Sequence, residues 1–218
     1  MVQNPSQSVK VQHSNQTWCL AFSLLEMAVE DENGTIIGRP LLAAISDLYS
    51  SVMVGYSLGF GAPNPLIAVA ALQHSILRNH YPLEAGLLGD GAVYEVPEML
   101  VVDVSTLWSA TNLAPLRHAF NKLGINLVRQ TSLSTDVHIN RFAEDFSSRV
   151  ESPPRRGTGH SEQVEGHSCL TLAQLDYLLE QYIVDEYNQS RHPHARTQTR
   201  LERWQSGLTS SPQVLSEL

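Results

Sequence analysis

The carboxylates and imidazoles of this 218-residue chain are the side chains whose types and spacing could support chemistry. Asp103 closes the apolar run EMLVVDV, and a carboxylate at the C-terminal end of a buried strand can hold a divalent cation or cap the following turn. Glu26, Asp47, Asp136 and Glu144 are the other acids in reach of ordered elements. His160, His167, Cys169, His192 and His194 formally supply four zinc ligands, with His167/Cys169 and His192/His194 each two residues apart. Scattered imidazoles in a solvated loop are the simpler reading of that set. Arg155 and Arg156, beside two prolines, could touch phosphate, but a two-charge loop is ordinarily just solvated. Cys19 sits beside Trp18 in an apolar stretch, as a small buried residue does, and no His-Asp arrangement supports a nucleophilic role.

Those groups must be held by elements, and the pattern of the chain predicts which. Residues 1–16 are expected to be a disordered polar lead-in, 17–205 one domain, and 206–218 a frayed tail. An apolar-rich strand is predicted over Trp18 to Val29, turned by Asp31-Glu-Asn-Gly. Strands over Leu41 to Ser46 and Val52 to Phe60 complete an antiparallel meander. After Pro63 and Pro65 the apolar spacing becomes helical, and proline suits a first turn. A Gly-containing loop over 80–97 leads to the strand that ends at Asp103. A helix over Leu113 to Leu123 follows and stops at Gly124, then the strand INLVRQ, then the helix VHINRFAEDFSSRV. SPPRRGTGHSEQVEG is expected to be a mobile loop, and a last long helix to run from Thr171 to Asn188 with Thr171 and Gln174 forming a capping box. The order βββαβαβαα implies a mixed five-stranded α/β sheet with helices on both faces, the ribonuclease H-like arrangement.

In that architecture carboxylates from the first strand, the end of the fourth strand and a later helix hold two divalent ions for in-line phosphoryl transfer. The segment GRPLLAAISDLYSSVMVGYSLGF, followed by AP and a helix, resembles the GRPW…IDxYSR…G block of DDE transposases and integrases. EMLVVD resembles the strand with their second Asp, and INRF the (I/V)ERxF helix with their Glu. YIVDEYNQSRHPHARTQTRLERW resembles the Tyr-Asn…His…Thr…Trp ending of Mu-type and TnsB-type transposase cores, so the likeness spans Trp18 to Trp204.

That resemblance implies DNA transposition and integration, a Mg²⁺-dependent polynucleotidyl transfer, and transposon-end DNA as partner. Carrying its metal ligands over position by position gives an unexpected set. The family's first-strand Asp-His-Thr is here Ala21-Phe22-Ser23, so Ala21 replaces the first acid. Asp103 retains the second, although the Gly-rich continuation has become Val104 to Trp108. Asn140 replaces the helical Glu before Arg141. Alanine cannot ligate, and a carboxamide offers one neutral oxygen without the charge that draws Mg²⁺ from water. Glu144, one turn beyond Asn140, is the available substitute ligand. Glu26 lies five residues after Ala21 and so on the opposite side of a regular strand, and Asp47 is a position the family keeps outside the triad.

Bulk properties fit this reading. The chain is 42% hydrophobic and 17% charged, an ordinary globular composition, with no apolar run of the roughly 20 residues that span a bilayer. The polar N-terminus has no signal-peptide core, and the two cysteines are expected to stay reduced in the cytoplasm. A net charge of −8 disfavours strong autonomous DNA binding. The helix-turn-helix modules and small β-barrel that flank such cores are not recognisable, which again implies weak DNA binding. The expectation is thus a transposase-type core without strand-transfer chemistry, partnering intact transposase subunits. The alternatives are a decaying remnant of a mobile element with no role, a metal-dependent nuclease or strand transferase built on Asp103 with substituted ligands such as Glu144, and a protein-interaction module, which an exposed apolar patch on the sheet edge or final helix would support.

Overall fold

A computed structural model describes residues 11–77, 95–103, 117, 120–130, 135–151 and 170–209. Strands β1 (Thr17–Leu24), β4 (Leu41–Asp47), β5 (Met53–Gly59), β6 (Met99–Asp103) and β7 (Asn126–Gln130) form one sheet in the order β5-β4-β1-β6-β7. β1, β4 and β5 pair antiparallel, and β1, β6 and β7 pair parallel. All seven residues of β4 are buried, as a central strand covered on both faces requires. The expected α/β class, a five-stranded mixed sheet flanked by helices, is the one observed.

Alternation along β1 builds two cores. Trp18 and Leu20 face one side, where they join Ala43, Ile45, Val54 and helix α1 (Pro65–Ile76). Ala21 faces the other, with Leu42, Ala44 and helices α2 (Thr135–Glu151) and α3 (Leu172–Gln181). Helix α1 starts as the proline pattern predicts: Pro65 is its first residue, and Asn64 Oδ1 accepts from the N–H groups of Leu66 (3.0 Å) and Ile67 (3.2 Å). It packs close to β5 because residue 55 is glycine; a Cβ there would stand 2.8 Å from the backbone nitrogen of Ser75. The helix expected before Gly124 is seen through its end at Lys122, and Gly124 takes the left-handed conformation at φ +76°.

Four expectations need correction. The first strand stops at Leu24 rather than Val29. Val29–Glu30 (β2) instead belongs to a separate sheet with Ile36–Gly38 (β3) and Leu170–Thr171 (β8), in the order β3-β2-β8. Helix α3 is α-helical only to Gln181 and continues as a π turn over Tyr182–Tyr187, although the Thr171/Gln174 capping box forms as expected. The lead-in is ordered by its end: Ser14 and Asn15 are buried. The tail is held to Gly207, whose carbonyl accepts from the Ser14 N–H at 3.0 Å. Helix α4 (Arg200–Ser206) supplies Trp204 to the first core. The 80–94 stretch of the Gly-containing loop and the 152–166 loop lie outside the described residues. Among the described residues no helix is long and apolar enough to cross a membrane.

Candidate functional site

Ala21 and Asp103, singled out by the strand motifs, lie on neighbouring parallel strands. β1 and β6 are parallel with Thr17 opposite Met99 and Leu20 opposite Val102, so the next step of the register is Ala21 and Asp103. Asp103 is paired in turn with Gln130 of β7. Ala21 is 2% exposed and sits in the core with Ile139, Phe142 and Ala143 of α2. Its antiparallel partner on β4 is Ala44, and two alanines back to back keep this part of the sheet low enough for the helix to approach. At position 21 the sheet therefore presents a methyl group in an apolar contact.

Helix α2 buries the stripe Ile139, Phe142, Ala143 and Phe146 and presents Asn140 and Glu144 to solvent, each one step beyond a buried residue. Arg141 and Asp145 form a loose ion pair at 3.9 Å on the same helix. Among the described residues there is no group of three or more His, Cys, Asp or Glu that could hold a metal ion. At positions 21, 103 and 140 the chain offers a methyl group, a carboxylate and a carboxamide. That set does not fit a pair of divalent ions, each of which needs several anionic or neutral oxygens.

The remaining sequence candidates separate clearly. Glu26 pairs with Arg39 at 2.7 Å on the surface. Asp47 is fully buried and fastens a turn: Oδ2 accepts from the Asn15 N–H (2.8 Å), and Oδ1 from the Ser50 N–H (2.8 Å) and hydroxyl (2.5 Å). Burial pushes its carboxyl above the usual range, and the Ser50 and Asn15 donors oppose that. Cys19 is buried within β1. Asp136 lies in the first turn of α2. Arg155, Arg156, His160, His167 and Cys169 lie outside the described residues.

His192 is structural in its contacts. It is 4% exposed, and Nδ1 accepts from the N–H groups of His194 (3.1 Å) and Ala195 (2.9 Å). Nε2 lies 3.5 Å from the Ser51 hydroxyl. Burial first, then the nearby Arg203, His194 and Arg200, hold its pKa down to about 4. An imidazole whose Nδ1 already serves two amides has that nitrogen closed to a metal.

A family model described as the TnsB C-terminal domain matches residues 24–136, more than half of the chain. The chain belongs to the TnsB C-terminal domain family. The "Transposase for transposon Tn552" of Staphylococcus aureus is 24% identical over 229 residues, covering 99% of this chain and 44% of the relative. The chain thus spans less than half the length of that curated relative. The family match includes Asp103 and stops short of Ala21 and Asn140, whose assignment rests on the local motifs and on the β1–β6 register.

Two residues with demanding roles escaped the sequence reading. Asn15, in the polar lead-in, ties Asp47 to Trp18 and Trp204. Asn188 receives the Met53 N–H (2.8 Å) and donates to the Met53 carbonyl (3.0 Å), covering the start of the β5 edge. The Tyr187-Asn188 pair was visible only as part of the resemblance; an Asn placed where a helix must end was the available signal.

Proposed function

We propose that this protein is a transposase-type core, ribonuclease H-like in plan, that associates with DNA transposition without performing strand transfer. The observation that carries this reading is Ala21: the strand position adjoining Asp103 is occupied by a methyl group sealed against α2. Asn140 removes the charge of the third ligand, and Glu144 lies one helical turn further along α2. The protein would act in the cytoplasm, on transposon-end DNA, alongside intact transposase subunits.

A divalent-ion titration followed by thermal unfolding tests the loss of chemistry. Mg²⁺ or Mn²⁺ at millimolar concentration is expected to leave the melting temperature unchanged, in the parent chain and in Asp103→Ala alike. A rise of several degrees that Asp103→Ala abolishes would instead support the alternative enzyme, a nuclease or strand transferase built on Asp103 and Glu144.

The partnering role has its own support. Ile36 and Ile37, 65% and 50% exposed, stand on β3, an outer strand of the small sheet. Exposed apolar residues on an outer strand suit association with another chain. Co-purification with an intact transposase of the same family, lost in Ile36→Lys/Ile37→Glu, checks it.

A further inference from the structure

The net charge of −8 hides a strong local excess of the opposite sign. Between Asn188 and Arg203 the chain carries Arg191, His192, His194, Arg196, Arg200 and Arg203 against the single acid Glu202. Four of its fourteen basic residues thus fall within sixteen positions. Among the described residues none of these arginines has a carboxylate within 4 Å; the ion pairs there are His13–Glu98, Arg39–Glu26, Arg141–Asp145 and Arg149–Glu186. Glu202 is occupied in capping α4, where it accepts from the Thr199 N–H at 2.7 Å.

The segment is also a rigid one. Arg191 and Thr199 bridge as an antiparallel pair, His192 N–H donates to the Gln198 carbonyl (3.0 Å), and Arg200 N–H to that of Ser190 (3.0 Å). Buried His192 plugs the enclosed loop from below through its two amide contacts. Arg200 lies 4.2 Å over the ring of Tyr187 and Arg203 lies 4.3 Å over that of Tyr49, each also donating to a backbone carbonyl. Arg191 donates to the Arg196 carbonyl at 2.8 Å, and both side chains reach solvent. Arg191, Arg200 and Arg203, fixed this way, lose little freedom when an anion arrives.

This basic crook adjoins α2 at the point where the family's third acid is missing. Phe142 of α2 meets Tyr187 edge-on at 4.8 Å, and Arg200 covers the face of that same tyrosine. Arg141 is exposed one residue beyond Asn140, with only the loose Asp145 pair to offset it. His138, two residues before Asn140 on α2, stands within electrostatic reach of His194, Arg200 and Arg141.

We propose that Arg191 and Arg196, with Arg141 of α2, form a surface that contacts the phosphate backbone of double-stranded DNA and needs no divalent ion. The proposal rests on the reading that the protein associates with DNA, and it deepens that reading by naming the surface. Counterion release makes each phosphate contact visible as about 0.9 in the slope of log affinity against log salt.

The experiment uses the full chain and a fluorescein-labelled duplex of about 20 base pairs, long enough for two helical turns, followed by anisotropy in EDTA from low to moderate salt. Binding is expected in EDTA, and Arg191→Gln/Arg196→Gln is expected to lower the slope by about 2, while Arg39→Gln on the β3 side leaves it unchanged. Arg196→Glu alone guards against a folding artefact, since among the described residues no side-chain bond of Arg196 is broken, and should weaken binding further than Arg196→Gln. Binding in EDTA with equal slopes for parent and double variant overturns the surface while leaving DNA association intact. Binding that appears only with Mg²⁺ overturns the metal-independent contact. No binding under either condition fails the DNA reading itself and the inference with it. Equal competition by polyglutamate and unlabelled duplex would assign the crook to acidic protein and overturn its assignment to DNA.

Discussion

The Asn15 carboxamide oxygen accepts from two tryptophans, Trp18 Nε1 and Trp204 Nε1, each at 3.1 Å. Its own N–H goes to Asp47, and its Nδ2 to Glu95. One small residue thus joins the start of β1, the β4–β5 turn, the segment leading into β6 and the last helix. Asn15→Ala would leave two buried indole N–H groups without an acceptor, and an orphaned buried donor costs about 1–3 kcal/mol. A loss of about 2–4 kcal/mol is expected, read as a lower denaturant midpoint with an unchanged m-value. A loss under ~0.5 kcal/mol would mean that water or another acceptor takes over. Nothing local in the sequence marks this role. Asn15 sits in a polar stretch that reads as loop, and its partner Trp204 is 189 residues away. Ala21 is the opposite case: the motif alone located it, and the structure added that its methyl group is sealed in a core rather than facing a cleft.

Elements were legible wherever the local pattern was also the determining force. The apolar run Leu41–Ile45 of β4 announces a buried strand, Asn64-Pro65 announces a helix start, and the Thr171/Gln174 box forms because both of its bonds lie within four residues. Elements set by distant partners were not legible. β2 ends the first strand early because it pairs with β8, whose residues come 141 positions later, as Val29 opposite Leu170 and Glu30 opposite Thr171. The π turn over Tyr182–Tyr187 has no sequence period of its own. It ends at Asn188, whose side chain mimics a neighbouring strand for Met53 of β5 through both of its polar atoms. Asn188→Ala removes both bonds at a buried edge. It is expected to destabilise by about 2–3 kcal/mol and to speed hydrogen exchange at the Met53 amide beyond the global effect. Equal exchange enhancement across the whole sheet would show that Asn188 supports only general packing.

Across the whole molecule, opposing buried titrations shape stability. His74 packs against Tyr56 with ring centroids 4.7 Å apart, and burial holds its pKa down to about 4, as for His192. Both imidazoles are neutral in the fold but bind protons near pH 6.5 once unfolded. The unfolded chain therefore takes up more protons between pH 6.5 and 4, and stability falls as pH drops through that window, by on the order of 2–4 kcal/mol for the pair after allowing for solvent screening. Glu180 acts in the other direction. Burial, then the charge of Asp176 one helical turn away, raises its pKa to about 7. The folded chain holds that proton from pH 4.5 up to about 7, so the stability it contributes is complete below 4.5 and gone above 7. Glu180→Gln keeps the shape and removes the charge. The variant should therefore melt about 2–4 °C above the parent at pH 8 and at the same temperature at pH 4. A gain that is equal at both pH values would trace to packing beside Tyr56 and His74, and no gain at pH 8 would mean that the Glu180 carboxylate is already well solvated there.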